Sequence, residues 1–536
     1  MIGNARNLLD GQLLECDICI AGAGAAGITL AHELSGSKLR VIVLESGGLN
    51  FDAEIQSLYQ ANVNNPHYND PEASRLRFFG GSTNHWTGNC GPLEPIDFEV
   101  RPWLAHSGWP FSYADLVPFY EKAQSYCQLA AFRYDLDYWT KQRGLKPLPL
   151  DTEIVTAGFA QPSPPTRFGE VYRSDIGSSE NVQVYLNANL IDINLHPDGS
   201  HVQTVLAGQL DAKRFQIKAK IFVLALGGME NPRLLLNCDK VHAAGIGNQH
   251  DLVGRYFMDH PVVSAATFLL AGPSINLDLY REAPPVKGAS GETPVAYAYL
   301  KLSDAMLRQH GLNNIRAPII PASRLSASDG VESIHILGST LGAGEWPDDL
   351  GGHIGNIVRD FDMVIEKFSR KTFNTKLFDS ADDTNFMYSD VMIEQRPEAS
   401  NRITLSSERD RLGMRKAAIE WKLADADKEN LQRCLEIMAK EFGRAGLGRL
   451  RIDGERGGRT YGELLSYGDH HMGTTRAHVN PRQGVVDGNL KVHGVENLYL
   501  AGSSVFPTGG HVPPTLTIVA LAIRMAQHLR QQLERV

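Results

Sequence analysis

Hydrophobic positions change period repeatedly near the start of the chain. The run CDICIAG, from Cys16 to Gly22, is apolar on alternate and adjacent positions, as in a strand buried on both faces. A glycine cluster follows, then AAGITLAHELSG with helical spacing, then a second apolar run, RVIVLES, ending at Ser46. This order predicts a strand-helix-strand unit whose strands are parallel. The same strand-turn-helix signal returns in IFVLALGGMENPRLLLN, from Ile221 to Asn237. It returns again in NLYLAGSSVFPTGG, which precedes a helix expected from Pro514 to about Leu533.

Between these units the pattern differs. PVVSAATFLLAG, TPVAYAYLKL, VESIHILG, SDVMIEQR, NRITLSS and AAIEWKL are short, rich in β-formers and separated by turn residues, which predicts an antiparallel sheet. A helix is expected to interrupt them near residues 348 to 372. The fold class is α/β: a Rossmann-like domain with an interleaved substrate domain built on an antiparallel β-sheet with helices. The expected boundaries are 1–260 and 456–536 for the dinucleotide-binding domain and 261–455 for the substrate domain.

Gly22, Gly24 and Gly27 form G-x-G-x-x-G between the first strand and its helix, and Glu45 ends the next strand. The first glycine permits a tight turn, the second lets a pyrophosphate approach the backbone, and the third allows close helix-strand packing. Glu45 is placed to accept from ribose hydroxyls, which disfavours a 2′-phosphate. The triplet alone does not separate FAD from NAD.

Composition narrows the partners. The 536 residues are 43% hydrophobic and 21% charged, enough for a large core and more than one domain. A formal charge of −9 offers no basic stripe, so nucleic acid is not an expected partner. Six scattered cysteines read as reduced thiols, the Cys16/Cys19 pair as strand core, and no metal site is expected. The first residues lack an apolar stretch behind a basic patch, and no run approaches the roughly 18 apolar residues of a membrane span. A cytoplasmic location is expected, with export beside a signal-bearing partner subunit left open.

The segment RLRFFGGSTNHWTGNCGPLEPIDFEVRPWLAHSGWPFSYADLVPFYEKAQ, from Arg75 to Gln124, resembles the flavin-attachment region of the glucose-methanol-choline (GMC) family, closest to its pyranose-oxidase-like and sugar dehydrogenase branches. The segment from His470 to Leu529, opening HHMGTTRAHVNP, resembles that family's closing motif. The resemblance implies a Rossmann-like FAD-binding domain with FAD as cofactor, held either covalently through His85 or by contacts alone. It places Gly80, Gly81 and Ser82 against the flavin ring, where short side chains let backbone approach a flat surface. It sets Thr87 beside the flavin N5 and C4 carbonyl, and adds Gly227, Gly502 and Ser503 to the cofactor contacts. At the last helix, Pro514 suits the first helical position, and the free amides of Thr515 and Leu516 would stabilise negative charge at the flavin N1 and C2 carbonyl.

Oxidising an alcohol sends a proton and a hydride in opposite directions, so a base must stand across from the flavin; histidine suits this near neutral pH. By the resemblance His470, three residues before Gly473, is that base, while His471 would point elsewhere in an extended segment. The family places Asn or His just before the final helix; here Pro513 stands in that register, and His511 is the expected substitute. The implied activity is oxidation of a small alcohol, such as a sugar, glycoside or cyclic polyol, with oxygen, a quinone or a cytochrome subunit all open as acceptor. A flavin lyase, an NAD-dependent dehydrogenase and a flavoprotein without catalysis remain as alternatives.

Overall fold

The computed structural model describes residues 1–65, 68–272, 275–284, 286–288, 291–293, 295–326, 328–342, 346–347, 349–382, 386–452 and 465–534. Its largest sheet is centred on the strand Leu13–Ala21, buried from Cys16 to Ala21 as a central parallel strand must be. Val41–Leu44 pairs with it in parallel on one side and Arg214–Leu224 on the other. Val182–Leu186 and Ile2–Asn4 extend the first side, again in parallel.

The strand Arg214–Leu224 serves two neighbours along its outer edge. Its first residues, Arg214 to Ile217, pair antiparallel with Val202–Gly208, and its last, Phe222 to Leu224, pair in parallel with Leu498–Leu500. Helix Ala25–Leu34 starts at the glycine cluster, and helix Gly227–Asn237 follows the long strand directly. The C-terminal helix, Thr515–Glu534, packs on Ala25–Leu34 and on Tyr113–Tyr126. Its buried face runs through Leu516, Val519, Ala520, Ile523, Ala526 and Leu529, the spacing expected of an amphipathic helix. Pro514 precedes the first helical residue, and its carbonyl accepts from the Ile518 N–H at 2.9 Å. It is thus the cap and not the first helical residue.

The β-rich segments separate into several sheets instead of one. Pro261–Leu270 pairs antiparallel with Phe386–Ile393, Gly448–Ile452 and Leu465–Tyr467. Tyr297–Leu302 pairs instead with Val155–Pro162, which also holds Asn89–Cys90. Arg402–Arg409 and Arg415–Glu420 form a hairpin joined in parallel by Ala61–Val63. Early segments therefore enter sheets that the sequence pattern assigned to the middle of the chain. The expected 455/456 boundary lies outside the described residues.

VESIHILG is helical, within Asp329–Gly342, and not a strand. Burial decides this: Gly330, Ser333 and Ile336 face inward at a spacing of three, against helix Leu350–Arg359. A Cβ on Gly330 would stand 2.8 Å from the Asn356 carbonyl, and Ser333 Oγ lies 3.2 Å from both His353 Nδ1 and Asn356 Nδ2. The interrupting helix is likewise two, Leu350–Arg359 and Phe361–Phe373, divided at Asp360, whose carboxylate accepts from the Ser328 hydroxyl at 2.7 Å. All six cysteines are free and buried. Among the described residues no helix is long and apolar enough to cross a membrane.

Candidate active site

The glycine cluster divides by job. Gly22 has φ +97°, and a Cβ there would stand 2.5 Å from the Ala225 carbonyl oxygen. A Cβ on Gly27 would stand 1.8 Å from the Gly22 carbonyl oxygen, so this residue serves helix-strand packing and does not reach the cavity. Gly24 differs: an added Cβ meets nothing within 4 Å, because the position opens onto a cavity of about 450 Å³. Glu45 borders the same space. Its carboxylate accepts from the Ala23 and Gly47 N–H groups, each at 2.9 Å, and so clamps the glycine turn while keeping lone pairs for a ribose. Burial raises its pKa.

The segment after Arg75 docks on this turn. Gly80, at φ +103°, donates its N–H to the Ala23 carbonyl at 2.8 Å, and a Cβ on Gly81 would lie 3.1 Å from the Gly24 Cα. Gly80 shapes the turn from behind; Gly81, Ser82, His85 and Thr87 form the wall. The His85 pKa is lowered, chiefly by burial and further by Arg167. Opposite them stand Gly227, Gly502 and Ser503. A Cβ on Gly227 would also project into open space. Thr515 borders the cavity, but Leu516 turns its side chain into the core and offers only its backbone amide, which helix geometry leaves without an intrahelical partner.

The sequence pattern did not reveal the charged wall. Arg75, Arg77 and Glu230 line the cavity. Glu230 pairs with Arg75 at 3.2 Å, Arg77 at 3.3 Å and Arg233 at 3.0 Å, while Arg233 also pairs with Asp410 at 2.6 Å. Three guanidiniums thus face two carboxylates, and two more acids of the same lining offset the difference, since Arg77 acts on Glu45 and Arg75 on Asp469. Burial raises the Glu230 pKa, but these arginines outweigh it and hold the carboxyl at about 2.

At the far end His470 and His471 both border the cavity. The preceding Asp469 has φ +56°, and the His471 ring packs against Phe257 with centroids 5.9 Å apart. Among the described residues His471 Nε2 is buried without a hydrogen-bond partner, and burial lowers its pKa to about 3. His470 is pushed well below the ordinary histidine value by burial, with His260 and His471 adding to the effect.

His260 was not anticipated. Its Nδ1 lies 2.8 Å from His470 Nδ1, and its Nε2 lies 3.0 Å from the Gly510 carbonyl oxygen. Asp259 Oδ1 accepts from the backbone N–H of His260 at 2.7 Å and of His470 at 2.8 Å, while Oδ2 accepts from the Tyr68 hydroxyl at 2.8 Å. One buried carboxylate therefore registers the two histidines against each other. The only signal was the string Asp259-His260-Pro261 at the entry to a long strand, and its partner lies 210 residues away.

His511 does not take the expected place. Gly510, at φ +60°, turns the chain so that His511 is fully buried outside the cavity, with Nε2 3.0 Å from the Tyr299 hydroxyl. Pro513 does border the cavity, as its register implies. Asn89 lines the wall as well. Its side-chain oxygen accepts from the Tyr297 hydroxyl at 2.7 Å, which in turn accepts from Arg316 at 2.9 Å. That chain commits the Asn89 oxygen and, among the described residues, leaves its –NH2 end without a hydrogen-bond partner.

Residues 397–522 match the GMC oxidoreductase family. Over that segment the chain carries a domain similar to the one GMC oxidoreductases share. Over 98% of its length it is 23% identical to the whole fructose dehydrogenase large subunit of Gluconobacter japonicus. It is equally 23% identical to 2-methyl-1,2-propanediol dehydrogenase of Mycolicibacterium austroafricanum, across 97% of this chain and 96% of that one. The fold matches pyridoxine 4-oxidase from Mesorbium loti with a TM-score of 0.56 at 16% identity, covering 97% of this chain and 99% of that one. With that domain and these relatives, the chain is an FAD-dependent oxidoreductase of alcohols or sugars.

Proposed function

We propose that this oxidoreductase converts a CH–OH group of a sugar, glycoside or cyclic polyol to a carbonyl, with His470 as base. The observation that carries the reading is His470 at the wall of the cavity that begins at the Gly24 turn, where burial lowers its pKa. Residues 1–260 and 456–536 supply the cofactor half in this reading, and 261–455 most of the substrate half. Open space in front of Gly24 and Gly227, the Glu45 carboxylate, the Arg75 and Arg77 guanidiniums and the free amides at the start of the last helix fit a flavin dinucleotide.

Bound FAD supplies the hydride acceptor. His470 accepts the hydroxyl proton, and its depressed pKa keeps it unprotonated at neutral pH. The Asn89 –NH2 is the proposed donor to the substrate oxygen, taking the place that Pro513 vacates and His511 does not reach. His85 is the proposed covalent anchor. The relatives named for fructose and diol dehydrogenation support a small polyhydroxy substrate.

Anaerobic mixing with a panel of sugars and polyols tests this, read as loss of flavin absorbance. His470→Ala should retain flavin and lose roughly 10² to 10⁴ in the reduction rate, the usual share of a positioned base. A variant reduced at the wild-type rate refutes the assignment.

A further inference from the structure

The chain of contacts behind His470 determines where its protons sit. The Gly510 carbonyl can only accept, so His260 Nε2, 3.0 Å away, must carry a hydrogen. The Gly509 backbone also accepts from this imidazole. Burial lowers the His260 pKa to about 4, so at neutral pH the ring holds one proton and its Nδ1 is bare. His260 Nδ1 lies 2.8 Å from His470 Nδ1, and two bare nitrogens would repel at that distance. The hydrogen between them must therefore belong to His470 Nδ1. A neutral His470 then has one nitrogen left, Nε2, and that nitrogen is unprotonated.

The opposite arrangement fails at each end. A hydrogen on His260 Nδ1 would set a bare Nε2 against a carbonyl oxygen, or would require a second proton on a ring that burial keeps neutral. Asp259 prevents escape by sliding, since it holds the backbone N–H groups of both histidines on one oxygen.

We propose that His260 is a positioning residue which fixes His470 in its Nδ1–H tautomer and so presents a bare Nε2 to the alcohol. The proposal rests on the reading of His470 as base. When the alcohol O–H bond breaks, its proton forms an Nε2–H bond, the Nδ1–H stays shared with His260, and the hydride leaves to the flavin. The pair differs from a carboxylate-histidine pair in that the supporting group is neutral: it orders the tautomer without adding negative charge. Neighbouring charges are unchanged by this arrangement. His471 and Arg316 act on His470, Asp259 binds its backbone, Asp469 precedes it, and Glu394 and Arg316 act on His260.

The test is anaerobic flavin reduction across pH in the holoenzyme for His260→Leu, which removes the acceptor, and His260→Asn, whose Oδ1 can stand near the lost Nδ1. His260→Leu should keep its flavin, lose about 10- to 10⁴-fold in rate, the range spanned up to a base held in the wrong tautomer, and move the acid limb of the profile, since His260 acts on the His470 pKa. His260→Asn should recover most of the rate. In a His470→Ala background His260→Leu should cost nothing further, as expected of a residue acting through that base. Wild-type rates and limb in His260→Leu, or losses that multiply with His470→Ala, overturn the tautomer proposal while leaving the base standing. A wild-type rate in His470→Ala alone removes both. Where His260→Leu does not fold, ¹⁵N-histidine spectra of the wild-type holoenzyme decide: a protonated Nδ1 and bare Nε2, in signals absent from His470→Ala, are expected, and the reverse pattern refutes the proposal.

Discussion

Gly24→Ala separates cofactor binding from folding at a single atom. Gly24 has φ −85° and ψ −163°, a conformation open to alanine without strain, and the added methyl meets no protein atom within 4 Å. Apoprotein stability should therefore stay within about 0.5 kcal/mol of wild type. The methyl instead occupies the space through which a pyrophosphate reaches the free N–H groups at the start of helix Ala25–Leu34. Losing one charge-assisted hydrogen bond costs about 1.5 to 3 kcal/mol, which weakens FAD binding roughly 10- to 150-fold. Gly27→Ala is the control, since its methyl would fall 1.8 Å from a backbone oxygen and must displace the helix. It should lose stability, by about 3 kcal/mol or more, even without cofactor. Both variants are titrated with FAD as apoprotein in a His85→Ala background, so that binding is reversible, and unfolded in urea. Wild-type FAD affinity in Gly24→Ala, or a urea midpoint lowered as far as that of Gly27→Ala, would refute the reasoning.

Acid precipitation of the wild type should carry flavin down with the protein, whereas His85→Ala should release it; free flavin from both excludes the linkage. The rate of flavin reduction should be level above about pH 6.5 and fall only on the acid side, because burial depresses the His470 pKa below the ordinary histidine value. An alkaline midpoint for that limb would contradict the depressed value. The buried histidines should also draw apoprotein stability down in acid. His260, His470, His471 and His511 all have lowered folded pKa values, about 4 for His260 and about 3 for His471. Below about pH 6.5 the unfolded chain takes up protons that the native state refuses, so stability present above that pH is lost toward the folded values, by roughly 1.4 kcal/mol per unit for each histidine. Asp97, Asp259 and Asp427, which burial raises to about 7, take up protons in the native state and oppose this, so the test is a difference: His511→Gln should reduce the histidine share of the slope by one proton, and a slope equal to wild type speaks against a buried neutral ring.

What could be read along the chain was local. The turn at Gly22, the helix behind Gly27 and the strand ending at Glu45 are specified by neighbours a few residues apart, and their periods show directly. The wall from Gly81 to Thr87 was reached through family resemblance, since a glycine-rich string states a conformation but not what lies against it. Contacts between distant segments stayed hidden. Arg75 and Glu230 are 155 residues apart, and no periodicity joins them. His511 was misplaced because a turn at Gly510 reverses the direction of a side chain one residue later. VESIHILG misled because β-branched residues express a preference that close helix packing at Gly330 and Ser333 overrides.

The two-neighbour edge of strand Arg214–Leu224 has a consequence for biosynthesis. Phe222 to Leu224 wait for Leu498–Leu500, which the ribosome delivers more than half a chain length later. Until then an apolar edge of the central sheet stands unpaired, a template for association with other chains. His470 and Thr515 arrive in the same late stretch, so a nascent protein can form its glycine turn long before it has a complete chamber. Cofactor loading should consequently follow translation, and chains stalled before residue 498 should be held by chaperones or degraded as colourless protein.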